Sequence, residues 1–326
     1  MDSVAANDNQ ANVQLALSCW FLTGATASGK SQTSLHLAER LNAEIISLDS
    51  MAIYRGMDIG TAKPSAAEQE RVPHHMIDVV DPTDQFSVSQ YRDAALEKVK
   101  QIQAAGKQVL FVGGTALYLK ALLRGLLYGP PADWDFRKEV EAEVAEDGAG
   151  FLHQRLEMVD PVAASNLHPN DHRRIIRALE VYKATGKPIS HLQMEFDEGR
   201  DSQACRVFTI RHDRAVLHER IESRVMAMFE AGLIEEAQGL LEKWNALSHT
   251  ASQAVGYRES IDFLKGEKSE EEMYERVKIR TRRFARHQET WFRGMSECEI
   301  IDLEKDFDAE ALANLIFEKG QSREIA

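Results

Sequence analysis

The chain has 326 residues, 44% hydrophobic and 28% charged, which excludes disorder throughout and suffices for one large or two smaller packed domains. Its 39 Lys and Arg against 52 Asp and Glu leave a formal charge of −13, which argues against a simple basic nucleic-acid binder. The apolar run Leu15 to Leu22 is far shorter than the roughly 20 residues of a membrane span, so no membrane association is expected.

Met1 to Asn12 is polar, with neither a basic start nor an apolar signal core. A disordered tail and a cytoplasmic location are expected. Cys19, Cys205 and Cys298 are widely spaced with no CxxC pair, as reduced thiols would be, and Cys19 falls within an expected apolar strand. That strand starts at Leu15 and leads through a glycine-punctuated turn into a helix from about Lys30 to Leu41, with Leu37, Ala38 and Leu41 on one face. Ala43 to Leu48 is a second strand, ending at Asp49-Ser50, and His75 to Val80 a third. Ser87 or Ser89 caps a helix that Gly106 stops; the strand Val109 to Val112 then closes on Gly113-Gly114-Thr115 and a further helical pattern.

Strands without polar alternation between amphipathic helices predict an α/β fold with a parallel sheet covered on both faces. After Gly129-Pro130-Pro131 the pattern is helical to about Glu198, where DEGRDSQ marks a boundary, and Arg206 to Ile210 returns to the sheet. The expected organisation is a core of residues 13–129 and 201–300, a helical insertion over 130–200, and a C-terminal helix and tail over 301–326.

Gly24-Ala25-Thr26-Ala27-Ser28-Gly29-Lys30-Ser31 fits GxxxxGK[ST] between a strand and a helix. Inward-pointing amides, the helix N-terminus and Lys30 suit a di- or triphosphate, and the Ser31 hydroxyl suits Mg²⁺. The strand Val109 to Val112 ends in Gly-Gly-Thr with no carboxylate, so the usual hydrolytic arrangement is not visible there. Asp49 is the strand-end carboxylate near the loop, suited to metal organisation, to general-base work or to capping a turn. His74-His75 lacks helical ligand spacing.

The stretch Asp49-Ser50-Met51-Ala52-Ile53-Tyr54-Arg55-Gly56-Met57-Asp58-Ile59-Gly60-Thr61-Ala62-Lys63-Pro64, beside the phosphate loop and Gly113-Gly114-Thr115, closely resembles the tRNA dimethylallyltransferase family. The resemblance continues through His168 to Arg174, Ile176 to Glu180, Val255 to Arg258, and Thr281-Arg282-Arg283 to Trp291-Phe292-Arg293. It implies a P-loop NTPase-like core whose phosphate loop holds dimethylallyl diphosphate, and transfer of the dimethylallyl group to N6 of the adenine just 3′ of a tRNA anticodon. An aromatic exocyclic amine is a poor nucleophile, so a carboxylate that takes its proton and cations that neutralise the departing diphosphate fit this chemistry. The resemblance makes Asp49 the base, lets Thr115 orient it or the amine, and gives Arg224 the diphosphate with Arg220, one turn away, in support. It further implies tRNA contacts by Asp49, Ser50, Met51, Ala52, Thr115 and Arg137, by Arg173, Arg174, Ile175, Ile176 and Arg177, and by Gln253, Ala254, Val255, Gly256, Tyr257 and Arg258. Mg²⁺ is the expected cofactor, the anticodon stem-loop the partner, and a monomer the working form. Two departures stand out: Ala25 replaces the family's proline, and His287 its common arginine.

Arg276 to His287 carries six Lys or Arg and no acid, an unusual run in an acidic chain, and Arg280 and Arg283 are assigned to the RNA. On a helix Arg276, Arg280, Arg283 and His287 form one stripe, and Val277, Phe284 and Trp291 a second that is expected to pack. A small-molecule or nucleoside kinase would share the phosphate loop, a strand-end Asp and lid arginines, and a non-catalytic RNA-binding module would share the basic stripe.

Overall fold

In the computed structural model, short apolar segments build a six-stranded, wholly parallel sheet in the order β3-β2-β4-β1-β5-β6. The strands are β1 Trp20–Gly24, β2 Ala43–Leu48, β3 His74–His75, β4 Gln108–Gly113, β5 Val207–His212 and β6 Cys298–Leu303. The structure describes residues 2–125, 129–130, 132–147, 149–193 and 199–323. The expected boundary residues Pro131, Asp197 and Glu198, Met1 of the expected tail, and residues 324–326 lie outside them.

The α/β expectation holds, and alternation along each strand explains it: Phe21, Ile46 and Phe111 enter one core while Leu22, Ile45 and Leu110 enter another across the sheet. The helices on or beside this sheet begin with α1 Asp2–Leu17, α2 Lys30–Leu41, α3 Ala66–Arg71, α4 Val88–Ala104 and α5 Ala116–Arg124. Five more, α6 Trp134–Asp147, α7 Ala149–Val159, α8 Pro161–Asn166, α9 His172–Thr185 and α10 Ile189–Gln193, follow without strands. The chain then forms α11 Arg214–Glu230, α12 Leu233–Trp244, α13 His249–Ser252, α14 Tyr257–Leu264, α15 Glu270–Arg293 and, after β6, α16 Ala309–Gln321.

Two compact units result, Met1–Leu123 with Gly199–Ala326, and Arg124–Glu198. The smaller has its own core, with Phe136, Val140, Leu152, Leu156, Ile175, Ile176 and Leu179 buried. In the larger, Ile53, Tyr54 and Met57 pack with Ile221, Leu233, Tyr257 and Val277, joining the segment after β2 to the C-terminal helices.

Four expectations are corrected. Residues 2–12, expected as a tail, belong to α1, whose Val13, Ala16 and Leu17 are buried in the same core as Tyr91 and Val99 of α4. The run Leu15 to Leu22 is therefore shared between α1 and β1, and Cys19 sits between them, its Sγ donating to the Leu15 carbonyl at 3.5 Å. The strand expected over His75 to Val80 stops at His75, because Met76 and Asp78 take left-handed φ of 59° and 53°. The boundary expected at 301 falls inside β6, which pairs with β5 on both sides of it, and the expected C-terminal helix is α16, whose Leu312 and Ile316 share a core with Leu37 of α2. Of the two serines expected to cap α4, Ser87 does so, in a capping box with Gln90. Among the described residues no helix is long and apolar enough to cross a membrane.

Candidate active site

Loops at the carboxyl ends of β1, β2 and β4 line one cavity of about 800 Å³, where open parallel sheets bind ligands. The phosphate loop leaves the central strand β1 and turns into α2 through Ala27 at φ 63° and Gly29 at φ 94°. Glycine is required at 29 on two counts, since a Cβ there would also lie 2.4 Å from the Phe307 ring. The loop is braced from behind. Arg220 Nε donates to the Ala27 carbonyl at 2.8 Å, His212 Nε2 lies 3.1 Å from the Ser28 carbonyl, and the Thr26 N–H donates to Gln288 Oε1 at 2.9 Å.

Lys30 Nζ donates to the Gly24 and Ala25 carbonyls at 3.0 and 2.6 Å and to Ser28 Oγ at 3.3 Å. Burial and the neighbouring Arg224 push its ammonium down to about 7, against the pull of Asp49. Arg224 lines the same cavity; burial lowers its pKa and the Asp49 carboxylate favours its charged form. Ser31 is exposed and lines the cavity beside Lys30.

Asp49 lines the cavity at the end of β2. Its Oδ1 accepts the N–H groups of Met51 at 2.7 Å and Ala52 at 3.3 Å, capping the turn that begins the long motif. No hydrogen bond engages Oδ2 among the described residues. Thr115 Oγ1 accepts the Ser50 N–H at 3.1 Å, while its backbone N–H donates to Leu48, so the hydroxyl ties the end of β4 to the segment carrying Asp49. Gln288 Nε2 donates to the Gly114 carbonyl at 2.9 Å.

The rest of the motif folds over the cavity and is anchored from afar. Lys63 Nζ donates to the Tyr54 carbonyl and to Asp58 and Asp78, each at 2.6 Å. Glu236 accepts the N–H groups of Asp58 at 3.1 Å and Ile59 at 3.0 Å and the Tyr257 hydroxyl at 2.5 Å, and the Gly60 N–H donates to that hydroxyl at 3.1 Å. Tyr257, assigned to the tRNA from the sequence, is thus wholly buried as a loop anchor. Glu236 and Gln288 carry no signal in the sequence, because their partners lie far away along the chain.

Among the other expected RNA residues, Ser50 and Met51 are half-buried and Ala52 is buried. Ala254 is also buried, and Gln253 accepts from Arg258 at 2.7 Å. Arg280 is bound to the buried Glu259 and to the Gln253 carbonyl, whereas Arg283 is exposed. The packing stripe of α15 is not the expected one: Phe284 and Trp291 are exposed, and Val277, Ala285, Gln288 and Phe292 are buried. In the smaller unit Arg137 forks onto Glu180 with both bonds at 2.9 Å, and Arg177 binds the same carboxylate. Burial pushes the Glu180 carboxyl up, but these bonds and the Asp133 N–H together hold it below its usual range. The Ile175 and Ile176 side chains are core, while Arg173 and Arg174 are exposed, the latter paired with Asp171 at 3.3 Å.

A family model described as IPP transferase matches residues 52–295. The chain is 51% identical over 284 residues to a tRNA dimethylallyltransferase of Rhodopirellula baltica, covering 85% of each chain. It is 45% identical to one of Pelotomaculum thermopropionicum, covering 90% of this chain and 94% of that one. Among solved structures it is similar to a tRNA isopentenylpyrophosphate transferase of Bacillus halodurans, with TM-score 0.66 and 39% identity over 94% of this chain and 97% of that one. It is also similar to a eukaryotic dimethylallyltransferase described as acting on tRNA, with TM-score 0.72 and 27% identity over 87% of this chain and 73% of that one. A phosphate loop, a strand-end carboxylate and two arginines on one cavity, with these matches along most of its length, place the chain in the IPP transferase family.

Proposed function

We propose that the protein is a tRNA dimethylallyltransferase that moves the dimethylallyl group from its diphosphate to N6 of the adenosine just 3′ of the anticodon. The observation that carries this reading is the shared cavity, in which the phosphate loop, Arg220 and Arg224 lie with the Asp49 carboxylate. The phosphate loop and Arg224 hold the diphosphate, with Arg220 bracing the loop. The N6 lone pair forms a bond to the first prenyl carbon as its C–O bond breaks, diphosphate leaves, and Asp49 Oδ2 takes the N6 proton. Thr115 holds the segment that carries Asp49.

The Ser31 hydroxyl lines the cavity beside Lys30, where it would hold Mg²⁺ together with diphosphate oxygens and water. Bound there, Mg²⁺ would neutralise charge on the departing diphosphate. The exposed arginines Arg173, Arg174 and Arg283 serve the anticodon stem-loop, and the enzyme works in the cytoplasm as a single chain.

The test combines the purified protein and Mg²⁺ with an anticodon stem-loop RNA and either dimethylallyl diphosphate or ATP. Prenylated adenosine and released pyrophosphate are expected from the first mixture only. Phosphoryl transfer from ATP to a small acceptor, with no prenylated RNA, would make the protein a kinase instead.

A further inference from the structure

Gln288 lies on α15, 262 positions from Thr26, yet its one amide joins the two loops that frame the reaction. Oε1 accepts the phosphate-loop N–H of Thr26 and Nε2 donates to Gly114 O, each at 2.9 Å. The partners fix the orientation of the amide, because a flipped group would set donor against donor and acceptor against acceptor. Only glycine at 114 admits it, since a Cβ there would fall 2.1 Å from Nε2. Gly114 immediately precedes Thr115, whose hydroxyl holds the Ser50 N–H beside Asp49. An unbroken chain of contacts therefore runs from the loop that receives the diphosphate to the carboxylate that receives the proton. Gln288 is only 6% exposed, and an apolar replacement would leave the part-buried Thr26 N–H and the buried Gly114 carbonyl without this partner.

We propose that Gln288 is a positioning residue for the transfer step: it sets the separation between the phosphate loop and the Thr115 loop, and so between the prenyl carbon and Asp49. The proposal rests on the function assigned above. Displacement at carbon is sensitive to such spacing, and a misplacement of about 1 Å can cost on the order of 10² in rate.

The experiment measures kcat, both KM values, stem-loop RNA affinity and thermal midpoint for Gln288→Glu, Gln288→Ala, Gly114→Ala and the Gln288→Ala/Gly114→Ala double variant. Gln288→Glu keeps the acceptor for Thr26 and loses the donor to Gly114, so it separates registration from bulk. In each single variant kcat should fall by about 10- to 100-fold, with both KM values and RNA affinity within about threefold. The added methyl at 114 acts by expelling the amide, so the double variant should be no slower than the slower single one. An unchanged kcat in Gln288→Glu, a loss carried by the RNA KM, or multiplying losses in the double variant would each overturn the role. Absence of prenyl transfer by the unaltered protein would overturn the functional reading instead.

Discussion

Asp49 Oδ1 accepts two backbone N–H groups, which leaves Oδ2 for the proton transfer proposed above. Asp49→Asn keeps an oxygen for the Met51 and Ala52 amides. It should lower kcat by about 10² to 10⁴ while leaving the thermal midpoint and pyrophosphate affinity nearly unchanged; equal losses of rate and of fold stability would reduce Asp49 to a turn cap. Lys30 supplies a second prediction. With its ammonium pushed down to about 7, much of it is neutral above neutral pH, and an arriving diphosphate favours the charged form. Pyrophosphate binding should take up a proton near pH 7.5 and weaken as pH rises further. Calorimetry in buffers of different ionisation enthalpy reads that uptake, and Lys30→Met should abolish it. Both residues are legible in the sequence because strand, turn and helix N-terminus dictate their surroundings within a few positions. Gln288 and Glu236 are not, because the backbone groups they satisfy come from loops that only the tertiary fold brings within reach.

On the scale of an element, α15 carries its charge to different ends on different faces. Arg280 is bound to the buried Glu259, whereas Arg283 and Arg286 are exposed. Arg283→Gln with Arg286→Gln should weaken stem-loop binding and flatten its salt dependence by about one unit of log–log slope for each phosphate left without its arginine. An unchanged slope would remove the helix from the RNA interface. Arg280→Gln should act on stability, since it leaves Glu259 buried without its cation. The cost is about 1–3 kcal/mol, below that of a fully buried pair because the Arg280 side chain is 32% exposed, and is read as a fall in the thermal midpoint. The basic run of this helix is plain in the sequence. Its inner face is not, because the partners that choose between Phe284 and Ala285 are supplied by other parts of the chain. Strand β6 is hidden for a related reason: six residues at a sheet edge carry too little periodicity to be separated from the acidic helix that follows.

For the whole molecule, a charge of −13 disfavours indiscriminate attraction to nucleic acid, so under the proposed function recognition falls to a few exposed arginines. Competition by unrelated RNA should be weak at physiological salt even where the cognate stem-loop binds well. The alternation of strands and helices makes the sheet legible, but not its edge, nor the helix that covers it from the N-terminal side. The seat of Phe307 against Gly29 has a further consequence. The phosphate loop lies early in the chain, yet β6, Phe307 and α16, which share or adjoin the core behind it, lie far downstream of it. Chains stalled or truncated after Leu303 should fail to retain pyrophosphate even though every residue of the loop is present.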